Sequence, residues 1–123
     1  MNAVWTLIVT LAFGAMPTDV WTVSSLEAVL PGAEPDAGST PAVRLYAAPG
    51  ERESFQVCIR PGTKLRGVRI EEGGLDGAGV PGPEVYRVAF TPKAEGSVGI
   101  VPGRLVIHDS CDLPAEKTAV FWV

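Results

Sequence analysis

The sequence is poor in the residues that most often bind nucleic acid or carry chemistry. It has ten lysines and arginines against fourteen acids in 123 residues, one histidine and two cysteines. Binding to DNA or RNA needs clustered cations that neutralise phosphates, and here the cations form no stripe or run. With a net charge of -4 at pH 7, the chain is mildly acidic. Nucleic-acid binding is therefore not expected.

The sequence also lacks an apolar run of the roughly 20 residues that a membrane-spanning helix needs, so we expect no stable membrane span. The shorter stretch from Ala3 to Met16 carries no charge and is followed by Pro17, Thr18 and Asp19. It is similar to the hydrophobic region of a secretory signal peptide. We therefore expect residues 1–16 to be a signal peptide on a secreted, periplasmic or cell-surface protein; a buried N-terminal strand or helix is the alternative.

Glycine-rich segments such as Gly73–Gly74 and Gly77–Gly79 lack the features of a phosphate-binding loop. Neither segment is followed by the lysine and the serine or threonine that end a phosphate-binding loop. Neither lies between a strand and a helix, as the glycines of a dinucleotide site do. They are interpreted as turns, and no cofactor is expected.

Glycine and proline, by contrast, are plentiful, with 14 and 11 residues scattered between short apolar runs. Many turns and few long helices are typical of an all-β chain. The length suits one domain, residues 17–123, and is too short for a catalytic barrel beside it. The expected fold is an antiparallel β-sandwich, immunoglobulin-like or jelly-roll-like. We expect it to be incomplete at the C-terminus, since Lys117–Val123 has the pattern of a strand with no turn after it.

The clearest strand follows the Pro49-Gly50 turn. Phe55, Val57 and Ile59 alternate with polar residues, which predicts a half-buried strand with Cys58 on its opposite face. Residues 43–47 alternate as well and are expected to pair with this strand as a hairpin or neighbour. The other predicted strands are Val20–Ser25, Arg66–Glu71, Glu84–Thr91, Arg104–Ile107 and Lys117–Val123, whereas Pro31–Pro41 and most of Pro92–Pro114 are predicted to be loops.

The segment from His108 to Asp112 is the one cluster with a base, a thiol and two carboxylates. Catalysis by a Cys–His pair needs both side chains in hydrogen-bond reach and a third group that orients the base, which this spacing does not ensure. Metal binding would be sterically crowded, and no second ligand group has zinc-like spacing. We expect a polar, solvated surface loop and no metal.

Glu51 and Glu53 resemble the carboxylate pair of a glycosidase only in type. Such enzymes place two carboxyl groups across a cleft, one with a raised pKa. Here both flank Arg52 at a turn, where solvation and the cation favour ordinary ionised carboxylates. They are interpreted as turn-forming residues, so no catalytic residue is assigned in this chain.

Cys58 and Cys111 are the only cysteines. In an exported protein such a pair can form a disulfide, which would stabilise the fold by about 3 to 4 kcal/mol in the chain-entropy model. The sequence alone does not show whether Cys111 lies near enough to Cys58 to form the bond. A disulfide and two unpaired thiols both stay open, the second being favoured.

Aromatic side chains could stack on sugar rings or fill the core. Tyr46 is the best candidate for an outward ring and Trp122 the next, on the expectation that a partner strand is missing beside it. Core packing is expected for the remaining aromatic residues after the leader, which are Trp21, Phe55, Tyr86, Phe90 and Phe121.

Several segments in order resemble the N-terminal β-sandwich domain of glycoside hydrolase family 123-like proteins. The sharpest is Gly-Glu-x-Glu-Ser-Phe-Gln-Val at residues 50–57, which opens a strand. The other matching segments are Val20–Val29 with its tryptophan, Leu65–Val68, Tyr86–Val88 and Ala115–Val123. Together they extend over nearly all of the chain after the leader.

This resemblance implies a non-catalytic accessory domain that flanks a catalytic (β/α)₈ barrel, which would follow C-terminally in a β-N-acetylgalactosaminidase-like parent. In the family, a pair of acidic residues in the barrel assists hydrolysis, and no position here matches that pair. The barrel is the expected partner, with glycans as a second.

Two other functions fit a sandwich of this composition. One is a free-standing carbohydrate-binding module that uses exposed aromatic residues. The other is an adhesive module that completes its sheet with a strand from a partner, through the final strand of this chain.

Overall fold

The computed structural model describes residues 2–6, 17–46, 48–70, 84–92 and 99–123. Within these ranges the chain consists of strands, turns and loops, with no helix. The nine strands of the described residues are β1 (Asn2–Thr6), β2 (Thr18–Ser24), β3 (Ala42–Tyr46), β4 (Phe55–Pro61), β5 (Leu65–Val68), β6 (Tyr86–Pro92), β7 (Ile100–Ile107), β8 (Cys111–Leu113) and β9 (Ala119–Trp122).

The strands form one large sheet and two small ones. The large sheet has the order β2-β4-β9-β6-β7, while β1 pairs with β3 and β5 pairs with β8. Every pairing is antiparallel. The predicted all-β, antiparallel, sandwich-like fold is confirmed.

The inner face of the large sheet carries the main core. Phe55, Val57 and Ile59 of β4 pack with Phe121 of β9, and Leu113 of β8 closes over them. Val43 and Leu45 of β3, and Leu65 and Val68 of β5, pack against the same cluster. The small sheets therefore lie across this face as the second layer.

The opposite face, called the outer face below, is covered by the loop that follows β2. Val29 and Ala33 of this loop pack on a second cluster that includes Trp21, Cys58 and Val120. Cys58 has no solvent exposure and Gln56 has 4%. The prediction of a half-buried β4 is therefore wrong: this strand is internal in the sheet and is covered on both faces.

The expected pairing of residues 43–47 with the Phe55 strand is wrong as well. β3 pairs with β1, while β4 lies between β2 and β9. The residues that separate them, from Ala48 to Ser54, carry the chain from one layer of the sandwich to the other. The turn at Gly50, with φ of 80°, is part of this crossing.

The region predicted as mostly loop between residues 92 and 114 contains two strands. β7 extends the predicted Arg104–Ile107 segment back to Ile100, and β8 follows after a short connection. The pairing of β7 with β6 shifts register between Ala89 and Phe90, so the residues of β7 do not alternate regularly along the whole strand.

The final strand is internal in the sheet. β9 pairs with β4 on one side and with β6 on the other, and the Val123 backbone exchanges two hydrogen bonds with Phe55. The expected open edge at this strand is therefore wrong.

Some sequence predictions lie outside the described residues. These are most of the predicted leader (residues 1 and 7–16), Glu71 and the glycine-rich turns between residues 73 and 83. Within the leader, Asn2–Thr6 form β1. The removal of residues 1–16 on export stays a prediction.

Candidate glycan-contact surface

A row of side chains crosses the outer face of the large sheet at one end. Gln56 of β4 lies opposite Trp122 of β9, Trp122 lies opposite Tyr86 of β6, and Tyr86 lies opposite Ile107 of β7. Directly opposed residues of antiparallel strands point to the same face of the sheet. We call Gln56, Trp122, Tyr86 and Ile107 the aromatic row.

Exposure increases along the aromatic row away from β4. Gln56 is buried, Trp122 and Tyr86 are half-buried, and Ile107 is 82% exposed. The next row of the sheet, which includes Cys58, is covered by Val29. The cover thus ends within the aromatic row, between the buried Gln56 and the two half-buried aromatic rings.

Gln56 anchors the turn that borders the aromatic row. Its Nε2 donates hydrogen bonds to the carbonyl oxygens of Ser24 (2.8 Å) and Glu27 (2.7 Å). Between these two residues, Leu26 is 93% exposed. The turn therefore places an exposed apolar side chain and the exposed Glu27 side chain beside the covered end of the row.

A small polar network lies beside the other aromatic ring. The Tyr86 hydroxyl donates to Glu84 Oε2 at 3.0 Å, and Arg52 Nη1 lies 3.7 Å from the same oxygen. The hydrogen bond to Glu84, and the charge of that carboxylate, raise the pKa of Tyr86, so the phenol stays protonated at neutral pH. The ring is held at its polar end while its faces stay free of this network.

This arrangement can hold a sugar without catalysis. Aromatic rings with one apolar face and one polar edge pack on the C–H faces of pyranose rings, and neighbouring carboxylates accept hydrogen bonds from sugar hydroxyls. Trp122 and Tyr86 supply the rings, and Glu84 and Glu27 supply the carboxylates. The sequence prediction included Trp122 and missed Tyr86, because Tyr86 alternates with Val88 and Phe90 and so resembles a core residue.

Tyr46 does not join this surface. Its ring points outward, as predicted, with 59% exposure, but it belongs to β3 in the other layer. Its neighbour Leu45 packs into the inner core, so Tyr46 faces away from that core, on the side opposite to Trp122. The two residues singled out from the sequence thus lie on opposite surfaces, and a glycan contact at Tyr46 stays a prediction.

The two cysteines lie on opposite faces of the large sheet. Cys58 belongs to the outer cluster, whereas Cys111 packs against the inner one. Both are free thiols, so the disulfide that the sequence left open is not formed in the structure. Burial, followed by the charge of Glu27, raises the pKa of Cys58 to about 12.

His108 is a packed residue of the connection between β7 and β8. Its ring meets Phe121 edge-on, with centroids 4.8 Å apart, and its Nε2 accepts a hydrogen bond from the Ile70 N–H at 3.3 Å. Nearby, Asp112 Oδ1 accepts from the Gly67 N–H at 2.9 Å. The expectation of a solvated loop is therefore wrong for His108, which is half-buried, and holds for Asp109 and Ser110, which are exposed.

Glu51 and Glu53 lie where the sequence predicted, in the turn before β4. Glu51 Oε2 accepts from the Ala48 N–H at 2.7 Å, and the Glu51 N–H donates to the Ala48 carbonyl at 3.0 Å. Glu53 is exposed. The turn-forming role is confirmed for Glu51.

Two kinds of feature are absent from the described ranges. They contain no cluster of three or more histidine, cysteine, aspartate or glutamate side chains placed to hold a metal ion. The same ranges contain no helix with the length and hydropathy needed to cross a membrane.

Comparison with known proteins gave no relative. No family model matches the chain, and neither a curated protein nor a solved structure is significantly similar to it.

Proposed function

We propose that this chain is a non-catalytic accessory β-sandwich module of an exported glycoside hydrolase-like protein, and that it contacts glycans through the aromatic row. The observation that carries the glycan contact is the pairing of Trp122 with Tyr86 at the uncovered end of the outer face. Two adjacent rings with carboxylates beside them are a known way to hold a sugar by stacking and hydrogen bonding.

The accessory role is supported by where the resemblance to glycoside hydrolase family 123-like proteins falls on the fold. Four of its segments contain or overlap β2, β4, β6 and β9, which are adjacent in the large sheet in the order β2-β4-β9-β6. A set of short matches that builds one continuous sheet is a better basis for the proposal than the same matches scattered over the surface. The role itself would be to flank the catalytic barrel of the parent.

A glycan array tests the contact. We expect the purified chain to bind at least one glycan class, and Trp122→Ala to weaken that binding about tenfold. Tyr46→Ala is the matched control, an exposed aromatic residue on the other layer, and it should bind as the unmodified chain does. Absence of binding to every sugar, or binding that depends on Tyr46 and not on Trp122, would contradict the proposal.

The gene sequence tests whether a catalytic barrel follows this domain in a parent protein. A coding sequence that continues beyond Val123 into a barrel supports the accessory role, whereas a stop codon there contradicts it. In the second case, glycan binding on the array would favour the free-standing carbohydrate-binding module.

A further inference from the structure

A cleft opens in the large sheet where β6 and β9 separate. Within the described residues these strands pair only at Tyr86–Trp122 and Arg87–Phe121. Past Arg87, β6 continues along β7, while β9 stays beside β4. The space between them has a volume of about 430 Å³, in the range of small-molecule sites.

The walls of this cleft are mainly apolar. Val88, Ala89 and Phe90 of β6 form one wall, and Pro31 and Pro114 contribute to the rest. The Thr118 hydroxyl also lines the cleft, but it donates its proton to the Ala33 carbonyl at 2.6 Å. The walls therefore offer few free polar groups for a neutral sugar.

Two cations line the same cleft, Arg87 and Lys117. Both are exposed, and neither forms an ion pair with a carboxylate of the described chain. Among the described residues no acidic one lines the cleft, although the chain as a whole is acidic. Positive charge next to apolar walls is complementary to an apolar anion.

We infer that the cleft between β6 and β9 binds a small organic carboxylate with an apolar body, such as an aromatic acid. The carboxylate contacts Arg87 and Lys117, and the apolar body packs against Ala89 and Val106, which lie on the same face of the sheet as Arg87. This site is separate from the aromatic row, and the inference does not rest on the proposed glycan contact.

The test is an NMR titration of the ¹⁵N-labelled chain with phenylacetate, and with neutral phenylacetamide at matched ionic strength. Phenylacetate should shift the amide signals of residues 88–90 and 117–119, and phenylacetamide should bind about tenfold more weakly because it lacks the charge. Lys117→Met should weaken phenylacetate binding about three- to fivefold, as expected for an exposed charge pair. Lys64→Met, an exposed lysine outside the cleft, is the matched control.

Equal affinity for the acid and the amide would overturn the inference. So would an absence of shifts, shifts confined to the aromatic row, or equal effects of the Lys117 and Lys64 variants. Failure of the phenylacetate titration would not contradict the glycan contact. The glycan array measures binding at Trp122 and Tyr86, which lie outside the cleft.

Discussion

Gln56 and Trp122 lie directly opposite each other in the large sheet, and only one of the two is buried. The Gln56 amide is turned to the carbonyl groups of Ser24 and Glu27, which holds the covering loop at this point. Trp122 lies one strand further from that anchor. The position of the Gln56 hydrogen bonds therefore sets how much of the aromatic row is left uncovered.

Gln56→Leu should lower the free energy of unfolding by about 1 to 3 kcal/mol, because the Glu27 carbonyl loses its side-chain donor and the Ser24 carbonyl keeps only the Glu27 N–H. Urea denaturation followed by tryptophan fluorescence measures this change. Glu53→Gln, an exposed change in the preceding turn, is the control and should shift the stability by less than about 0.5 kcal/mol. An equally small effect of Gln56→Leu would show that these bonds do not hold the loop.

Thr118→Val should cost less, about 1 kcal/mol, since the shape of the side chain is kept and both partners of the lost hydroxyl keep another hydrogen bond. The hydroxyl donates to the Ala33 carbonyl at 2.6 Å and accepts from Arg60 Nη1 at 3.5 Å, and Arg60 Nη1 also donates to the Ala33 carbonyl at 3.4 Å. That carbonyl therefore keeps a donor. The same urea experiment measures the difference, with the exposed Thr63→Val as control. A cost larger than that of Gln56→Leu would contradict this ranking.

The two thiols should react at very different rates. At pH 8 the folded protein should expose Cys111 to a disulfide reagent such as DTNB, whereas Cys58, with a pKa raised to about 12 and no solvent exposure, should not react. The pKa of Cys111 is also raised, mainly by burial, so its reaction should be slow.

Counting thiols checks this prediction. Native protein should titrate one thiol, and protein unfolded without reductant should titrate two. Cys58→Ala should leave the native count unchanged. No reactive thiol in the unfolded, unreduced chain would instead indicate a disulfide.

His108 should make stability depend on pH below neutrality. Burial is the main cause that lowers its pKa from the ordinary value of 6.5, with smaller effects from Arg87 and Arg69, while Asp109 acts in the opposite direction. Above pH 6.5 the imidazole is neutral in both states. As the pH falls below this value, the unfolded chain takes up the proton first, so the free energy of unfolding decreases until the pH falls below the folded pKa.

Comparing unfolding of the unmodified chain and His108→Gln at pH 7.5 and 5.5 isolates this effect, because the sequence has one histidine. Glutamine keeps an oxygen that can accept from the Ile70 N–H and does not titrate. The unmodified chain should lose more stability between the two pH values than the variant. Equal losses would show that His108 has an ordinary pKa in the folded protein.

Local alternation was enough to predict β4 and β6, because inward and outward residues repeat every second position along each strand. It could not show that Gln56 and Cys58, on the face away from Phe55, would be buried too. That depends on a loop some thirty residues earlier in the chain, whose carbonyl groups meet Gln56 and Arg60. Burial of polar residues by long-range hydrogen bonds leaves no periodic signal in the sequence.

Of the two aromatic residues of the candidate surface, the sequence identified Trp122 and not Tyr86, for a similar reason. Trp122 was identified as an aromatic residue near the end of an apolar strand, on the assumption that a neighbouring strand was missing. Both neighbours are present, and its partial exposure coincides with the end of the covering loop. Tyr86 has the same alternation as the buried Val88, and only the register with β9 distinguishes them.

The most direct test of the glycan-contact surface is a calorimetric binding measurement on Tyr86→Ala, Trp122→Ala and the double variant, with the best glycan from the array. Because the two rings would contact the same sugar chain, each single change should weaken binding about tenfold, and the double variant should lose less than the sum of the two changes in binding free energy. Unchanged affinity in both single variants, with urea unfolding showing that both are folded, would contradict the account.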